Sequence, residues 1–369
     1  MKSEHSVFIP EVHSEFTINQ KLMTVENLKF MAYEFQKNGE PYEQEAGSFL
    51  LDWLQDKEYI TVQTSGSTGK PKQIKVSKQA MINSALATGK FFKIQEGTTA
   101  LHCLSSSYIA GKMMWVRAMI LGWKIDMVPP RTNPLDSVYR QYDFCAMVPM
   151  QLDNSLNRLH LLKKLIVGGG RVSGHLKYLV RDSKTKIFET YGMTETLSHI
   201  AAKRINSKKN TKEEETIFKV LPNIEIKTDE RDCLVIHAPL LQDKEIVTND
   251  VVSLITPKKF ILKGRIDNVV NSGGIKLFPE EIEKKLQLFM SYSYFLAGIP
   301  DKTLGEKLIL IIEKTEDTAD KENFLYIVKN VKTLSKYEIP KEVFFLPQFL
   351  RTESGKIQRS KTLKLLPEK

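Results

Sequence analysis

Nine consecutive residues, Thr64-Ser65-Gly66-Ser67-Thr68-Gly69-Lys70-Pro71-Lys72, combine hydroxyl side chains, two glycines and two lysines with no large apolar group. Glycine permits close backbone approach, backbone N–H groups donate to phosphate oxygens, and the lysines supply counter-charge, so the loop suits a polyphosphate. It is not a Walker A loop, because Gly66 and Gly69 stand three apart and a proline follows Lys70. Taken alone, the same composition also describes a flexible surface turn.

Further stretches carry chemistry of their own. In Tyr191-Gly192-Met193-Thr194-Glu195-Thr196 a glycine turn bears hydroxyls and one carboxylate; Glu195 suits Mg²⁺ bridging phosphate oxygens, and Thr194 suits the phosphate itself, although such residues also cap helices. Gly168, Gly169 and Gly170 end an apolar run and admit a flat ring against the backbone, or simply form a turn. Asp250, in Thr248-Asn249-Asp250, is placed either for two ribose hydroxyls or as an ordinary turn aspartate. Gly264-Arg265-Ile266-Asp267 offers a cation and an acid, for a nucleotide and a pivot or for a structural ion pair. Asn271-Ser272-Gly273-Gly274-Ile275-Lys276 is another glycine turn, and Arg351 to Arg359 sets Lys356 on a turn beside Gly355, where a lysine is ordinarily a solvated charge.

The elements around these residues alternate. Apolar runs at 101–104, 125–128, 144–148 and 164–167 are separated by helical stretches, which predicts an α/β domain with mostly parallel strands. Tyr59-Ile60-Thr61-Val62 leads into the phosphate-type loop as a strand, and Ser77 caps a helix with the stripe Met81, Ile82, Ala85 and Leu86. Before it, Leu28, Phe30 and Tyr33, then Phe49, Leu50, Trp53 and Leu54, follow helical spacing. The polar run 203–216 is expected as an exposed loop or hairpin tip, and 224–227 with 234–237 as a hairpin introducing antiparallel pairing. The last hundred residues form a small α+β unit, with a helix opened by Pro279 that buries Ile282, Leu286 and Phe289. The expected boundary gives domains 1–264 and 265–369.

Composition narrows the class. With 369 residues, 41% hydrophobic and 27% charged, the chain is of ordinary globular type. The net charge of +10 is dispersed, with only short pairs such as Lys208-Lys209 and Lys284-Lys285, and no nucleic-acid motif accompanies it. Cys103, Cys145 and Cys233 lie far apart, arguing against a disulfide framework or zinc site and for a reducing compartment. The beginning Met1-Lys2-Ser3-Glu4-His5 lacks a signal-peptide core, and the apolar window 101–123 contains His102, Lys112 and Arg117, making it a poor span. A soluble cytoplasmic protein without membrane insertion is expected.

In order and spacing, the stretches 64–72, 168–170, 191–196, 248–250, 264–283 and 351–359 match one family, and from residue 60 onward nearly the whole chain resembles the adenylate-forming superfamily of acyl-CoA synthetases, adenylation domains and luciferases. That resemblance implies a large N-terminal domain of layered sheets and helices and a small mobile C-terminal domain carrying a catalytic lysine. It implies ATP, Mg²⁺ and coenzyme A, with a small-molecule carboxylic acid activated as acyl-AMP, pyrophosphate released and the acyl group passed to coenzyme A. Residues 64–72 would hold the β,γ-phosphates, Thr194 the α-phosphate and Glu195 the metal. Gly168, Gly169, Gly170, Glu189, Thr190 and Tyr191 would line the adenine and acyl pockets. Asp250 would bind ribose with Arg265 at the same end; Asp267 matches the hinge, Gly273 and Gly274 would border the thiol's path, and Lys356 would contact the carboxylate and α-phosphate. Two anions meet in that step, so cations there lower the barrier directly.

There are departures: only 63 residues precede Thr64, fewer than is usual in the family, so the first N-terminal subdomain is expected to be reduced. Asn249 replaces a glycine, and 105–112 replaces an aromatic/histidine motif. A shortened chain of this kind resembles the o-succinylbenzoate–CoA ligases of menaquinone biosynthesis. Their substrate has a second carboxylate needing a fixed cation, for which Lys112 and Arg117 are candidates, with Tyr108, Ser198 and His199 as further pocket residues. Transfer to a carrier-protein phosphopantetheine, a different aryl acid, and a non-catalytic nucleotide-binding relic are the alternatives.

Overall fold

Apolar runs in the middle of the sequence lie side by side as parallel strands. The structure, a computed structural model, describes residues 12–63, 73–207, 216–315, 318–351 and 357–367. It divides into two compact units, one of Met1–Val172, Leu179–Glu225 and Ile236–Ile246, the other of Ser173–Tyr178, Ile226–Val235 and Val247–Lys369. The boundary expected at 264/265 falls inside the second unit.

In the first unit, strands Lys124–Met127, Thr99–His102, Tyr142–Met147, Leu162–Val167 and Lys186–Gly192 are neighbours in that order, all parallel. Their interiors are nearly continuously buried, as strands covered on both faces must be. His199–Arg204 and Ile217–Val220 extend the sheet antiparallel beyond Lys186–Gly192. Helices Lys78–Phe92 and Ile109–Leu121 pack beside it; Ser77 caps the first by accepting from the Ala80 N–H at 3.4 Å, as expected. Ile109–Leu121 is apolar around its circumference because it is buried, not because it spans a bilayer, and it has only 13 residues. Among the described residues, no helix is long and apolar enough to cross a membrane.

Some expected faces shift. Helices Val25–Asn38 and Pro41–Leu54 bury Leu28, Phe49, Leu50 and Trp53, but Phe30 and Tyr33 are exposed, because one turn of helix offers the core only part of its surface. Leu86 is likewise exposed while Met81 and Ala85 are buried. Strands Tyr59–Gln63 and Gln73–Ser77 pair antiparallel from Gln63↔Gln73 outward, flanking residues 64–72, which lie outside the described residues.

In the second unit, strand Ile246–Thr256, apart from its first residue, and strand Lys259–Arg265 form a long antiparallel ribbon, and the Asp229 N–H donates to the Cys233 carbonyl at 3.0 Å in the expected hairpin turn. A sheet of Ile275–Leu277, Val270–Ser272, Gly305–Glu313 and Tyr294–Asp301, with Glu342–Leu346 parallel to Gly305–Glu313, carries helices Pro279–Leu286 and Thr318–Lys329. Its core holds Ile282, Leu286, Leu296 and Leu310. Phe289, expected in that core, lies beyond the helix end and is half-exposed.

Candidate active site

Parallel strands deliver their loops to one edge, and the first unit places its candidates there. The Leu162–Val167 strand ends at Gly168, whose N–H donates to the Met147 carbonyl at 3.1 Å. Gly169 has φ 76°, a conformation that favours glycine, so the flat turn has a structural demand of its own. One strand over, Thr190 Oγ1 donates to the Val167 carbonyl at 3.1 Å, and a Cβ on Gly168 would come within 2.8 Å of that oxygen. Glu189 is buried and ion-pairs with Lys203 at 3.2 Å across the Lys186–Gly192 and His199–Arg204 register, while accepting from the Val172 N–H at 3.3 Å. Glu189 thus ties the glycine turn to the sheet. Lys203, expected in an exposed loop, is buried in a strand and lies 4.3 Å from the centre of the Phe218 ring, which also meets Tyr191 edge to face. Polarity alone placed Lys203 outside; its buried carboxylate partner draws it in.

The turn after Tyr191 is a 3-10 turn, Thr194–Thr196. Thr196 Oγ1 donates to the Ser198 carbonyl at 2.7 Å and accepts from the Met193 N–H at 3.0 Å, which fixes the turn; in it Glu195 is exposed and Thr194 half-buried. Leu197 follows with φ 64° and ψ −46°, a conformation costing a β-carbon residue about 1–3 kcal/mol. Nothing in the sequence announced that strain.

Arg117 and His199, 82 residues apart, meet in the interior. Arg117 is 2% exposed, and Nη2 donates to Ser198 Oγ at 2.6 Å. Nη2 also lies 3.5 Å from His199 Nδ1, and His199 Nε2 lies 3.3 Å from Thr88 Oγ1, whose proton goes to the Ser84 carbonyl at 2.9 Å. With the Thr88 proton so directed, His199 carries its own on Nε2 and turns an Nδ1 lone pair toward Arg117. Burial, then the Arg117 charge, holds the imidazole well below its ordinary pKa, so it is neutral. Burial pushes the guanidinium down to about 9. Among the described residues no carboxylate pairs with Arg117, and its buried Nε has no hydrogen-bond partner. A narrow cleft lined by His199, Ser84, Asn83, Asn223 and Leu240 opens beside the ring.

The other basic candidate is committed elsewhere. Lys112 Nζ donates to the Ser106 and Ser107 carbonyls at 2.6 and 3.0 Å, closing the turn that starts the helix and using two of its three N–H donors there. Tyr108 is the half-exposed N-cap of the same helix.

In the second unit, the Asp250↔Arg265 strand register sets their side chains 3.4 Å apart, with Arg265 Nη2 3.0 Å from Asp267. Asn249 Nδ2 lies 3.3 Å from Asp267 Oδ1, so the residue that replaces the expected glycine supports the acid. Thr248 Oγ1 accepts from the Asp250 N–H at 3.1 Å and donates to the Leu234 carbonyl at 2.8 Å, fixing the aspartate. Gly273 and Gly274, at φ 60° and 81°, are the two central residues of a tight hairpin between Val270–Ser272 and Ile275–Leu277, which glycine alone adopts without strain. Lys356 lies outside the described residues; its flanks form the bridge Arg351↔Ile357. Among the described residues no cluster of three or more His, Cys, Asp or Glu could hold a metal. One exposed carboxylate, Glu195, suits a Mg²⁺ bound chiefly through substrate phosphates rather than a protein cage.

The fold and these turns define the class. The chain belongs to the AMP-binding enzyme family, whose model matches residues 9–235. Among curated proteins it is similar to the 2-succinylbenzoate–CoA ligase of Staphylococcus epidermidis, 25% identical over 328 residues, covering 81% of this chain and 68% of that protein. It is similar also to the ligase of the same name from Escherichia coli, 24% identical over 330 residues, covering 85% and 70%. Among solved structures it resembles an acyl-CoA synthetase (AMP-forming)/AMP-acid ligase II-like protein from Dyadobacter fermentans, with TM-score 0.61 and 34% identity over 91% of this chain and 97% of the other. The o-succinylbenzoate CoA synthetase of Bacillus subtilis with its acyl-adenylate intermediate shares the fold, with TM-score 0.72 and 20% identity over 94% and 82%.

Proposed function

We propose that this chain is an ATP-dependent, AMP-forming acid–CoA ligase acting in the cytoplasm, and that its acid is an aromatic dicarboxylate, o-succinylbenzoate. The observation that carries the substrate reading is Arg117, a buried cation whose partners are a hydroxyl and a neutral imidazole. A buried charge without a counter-ion is costly, and a substrate carboxylate entering beside His199 would relieve it. The names of the similar ligases support the same acid.

In this reading, residues 64–72 hold the β,γ-phosphates and Thr194 donates to the α-phosphate. Asp250 accepts from the ribose hydroxyls and Arg265, 3.4 Å from that carboxylate, keeps it aimed. Mg²⁺ at Glu195 would neutralise phosphate charge. Lys356 holds the attacking carboxylate against the α-phosphorus, with pyrophosphate as leaving group, and must withdraw before a thiol arrives. Asp267, joined to Arg265 and Asn249, is the proposed pivot of residues 265–369 for that exchange.

The test is a pyrophosphate-release screen over o-succinylbenzoate, monocarboxylic aryl acids and aliphatic acids, with coenzyme A and a carrier protein compared as acceptors. Turnover should be greatest with o-succinylbenzoate and coenzyme A. Brisk turnover of a monocarboxylic aryl acid without the dicarboxylate would overturn the substrate.

A further inference from the structure

A second concentration of positive charge lies in the first unit, at the opposite ends of the strands that carry the glycine turn. Lys93, Lys164, Lys186, Arg204 and Lys219 line one cavity of about 340 Å³. Strand register gathers them. Lys164 and Lys186 are direct partners on parallel strands, Arg204 is opposite Phe188 and Lys219 opposite Ala202. Lys93 joins from the left-handed cap of the Lys78–Phe92 helix. Like charges placed laterally across a sheet oppose folding, so this arrangement costs the free protein stability.

Among the described residues these charges have few counter-ions. Among the described residues no carboxylate ion-pairs with Lys93, Lys186, Arg204 or Lys219, and the buried Arg204 Nε has no hydrogen-bond partner. Asp143, which acts electrostatically on Lys164, is itself held by Lys163 at 2.7 Å and by Thr99 Oγ1 at 2.6 Å. Half-buried Phe91 and Phe188 supply apolar wall, so the cavity combines ring surface with cations. Its size falls in the range of small-molecule sites. Lys164 precedes Gly168 by four residues of extended chain, roughly 13 Å, which separates this cavity from the edge with the glycine turn.

We infer that this cavity is a second ligand site, taking a small aromatic or planar molecule that carries two or more negative charges. Binding replaces mutual repulsion of the cations by charge-assisted hydrogen bonds, and it weakens with added salt because most of the cations reach solvent.

The experiment is calorimetric titration of the full chain, saturated with ATP and Mg²⁺, using benzene-1,3,5-tricarboxylate as probe and benzoate as the single-charge control. The variant E213Q/E214Q/E215Q is titrated in parallel as a control for the acidic run that stands between Ser207 and Lys219 in the sequence. One tricarboxylate should bind per chain and benzoate at least about tenfold more weakly. Lys186→Ala and Arg204→Ala should each weaken the tricarboxylate by about tenfold, while Arg117→Met leaves it unchanged. Lys186 is exposed, so its variant reports even where Arg204→Ala impairs folding. Absence of binding in both proteins, or binding that follows Arg117→Met and ignores Lys186→Ala, overturns the inference.

Discussion

Arg117 is held by a serine hydroxyl and approached by a neutral imidazole, and this predicts a division between stability and activity. Arg117→Met fills similar volume and removes a buried charge, so the variant should melt at the same or a higher temperature. It should also raise KM for the dicarboxylic acid roughly 10–100-fold with KM for ATP unchanged, as expected for loss of a bond to a charged group. Retained acid affinity in a destabilised variant would make Arg117 structural instead. Lys356→Ala should abolish acyl-adenylate formation, by roughly 10²–10³ or more, while transfer from preformed acyl-AMP to coenzyme A persists. Equal loss in both half-reactions would count against the assignment. The buried histidines set a pH dependence. Burial holds His102 down to about 3, with Nε2 3.2 Å from Ser106 Oγ and the ring edge-to-face with Trp115 at 4.8 Å. Between about 6.5 and 3 the unfolded chain binds a proton that the folded one refuses. Stability is therefore complete above 6.5 and falls as pH drops, by up to about 1.4 kcal/mol per pH unit for each such histidine. Urea titrations at several pH values should give a shallower slope for His102→Asn; an unchanged slope removes this residue as the cause.

At the scale of elements, Arg359, three residues after Lys356 in the sequence, is clasped to the helix Pro279–Leu286. Arg359 Nη2 lies 2.7 Å from Glu283 Oε2 and Nη1 3.7 Å from Glu280 Oε1, and Glu283 Oε1 accepts from the Leu296 N–H at 2.9 Å. Burial raises the Glu283 pKa while Arg359 opposes it. Arg359→Ala leaves that carboxylate buried and unpaired, an expected cost of about 3–5 kcal/mol in denaturant unfolding, and adenylation should fall with it. The pair Arg359→Met with Glu283→Gln should recover most of the stability; failure to do so would mean packing, not charge, holds the clasp. Pro279 and the acidic first turn made this helix readable from sequence. Its extent was overestimated because Phe289 continues the spacing after the backbone has left the helix.

At the scale of the whole molecule, the proposed mechanism has Lys356 act in the first half-reaction and then depart, with Asp267 as the proposed pivot. Asp267→Pro fixes φ and removes the Arg265 partner, so it should slow thioester formation more than adenylation, whereas Asp267→Asn should slow the two about equally. Single-turnover assays of each half-reaction distinguish the outcomes. The second compact unit begins earlier than the expected 265, taking in the ribbon Ile246–Thr256 almost entirely, because strand pairing groups residues by register rather than by motif order. A boundary read from motifs marks where chemistry divides, which differs from where contacts do.

Sequence alone determined the family, the α/β layering and the turns at 168–170, 191–196 and 248–250, because glycines, hydroxyls and acids at those spacings are local in the chain and their chemistry is carried by residue type. Tertiary structure alone decided that Arg117 meets Ser198 and His199, that Lys203 is buried against Glu189, that Lys112 is spent on its own turn, and that five cations share a cavity. Each of these depends on strand register or helix packing between distant segments, and burial there changes what a charged side chain is for.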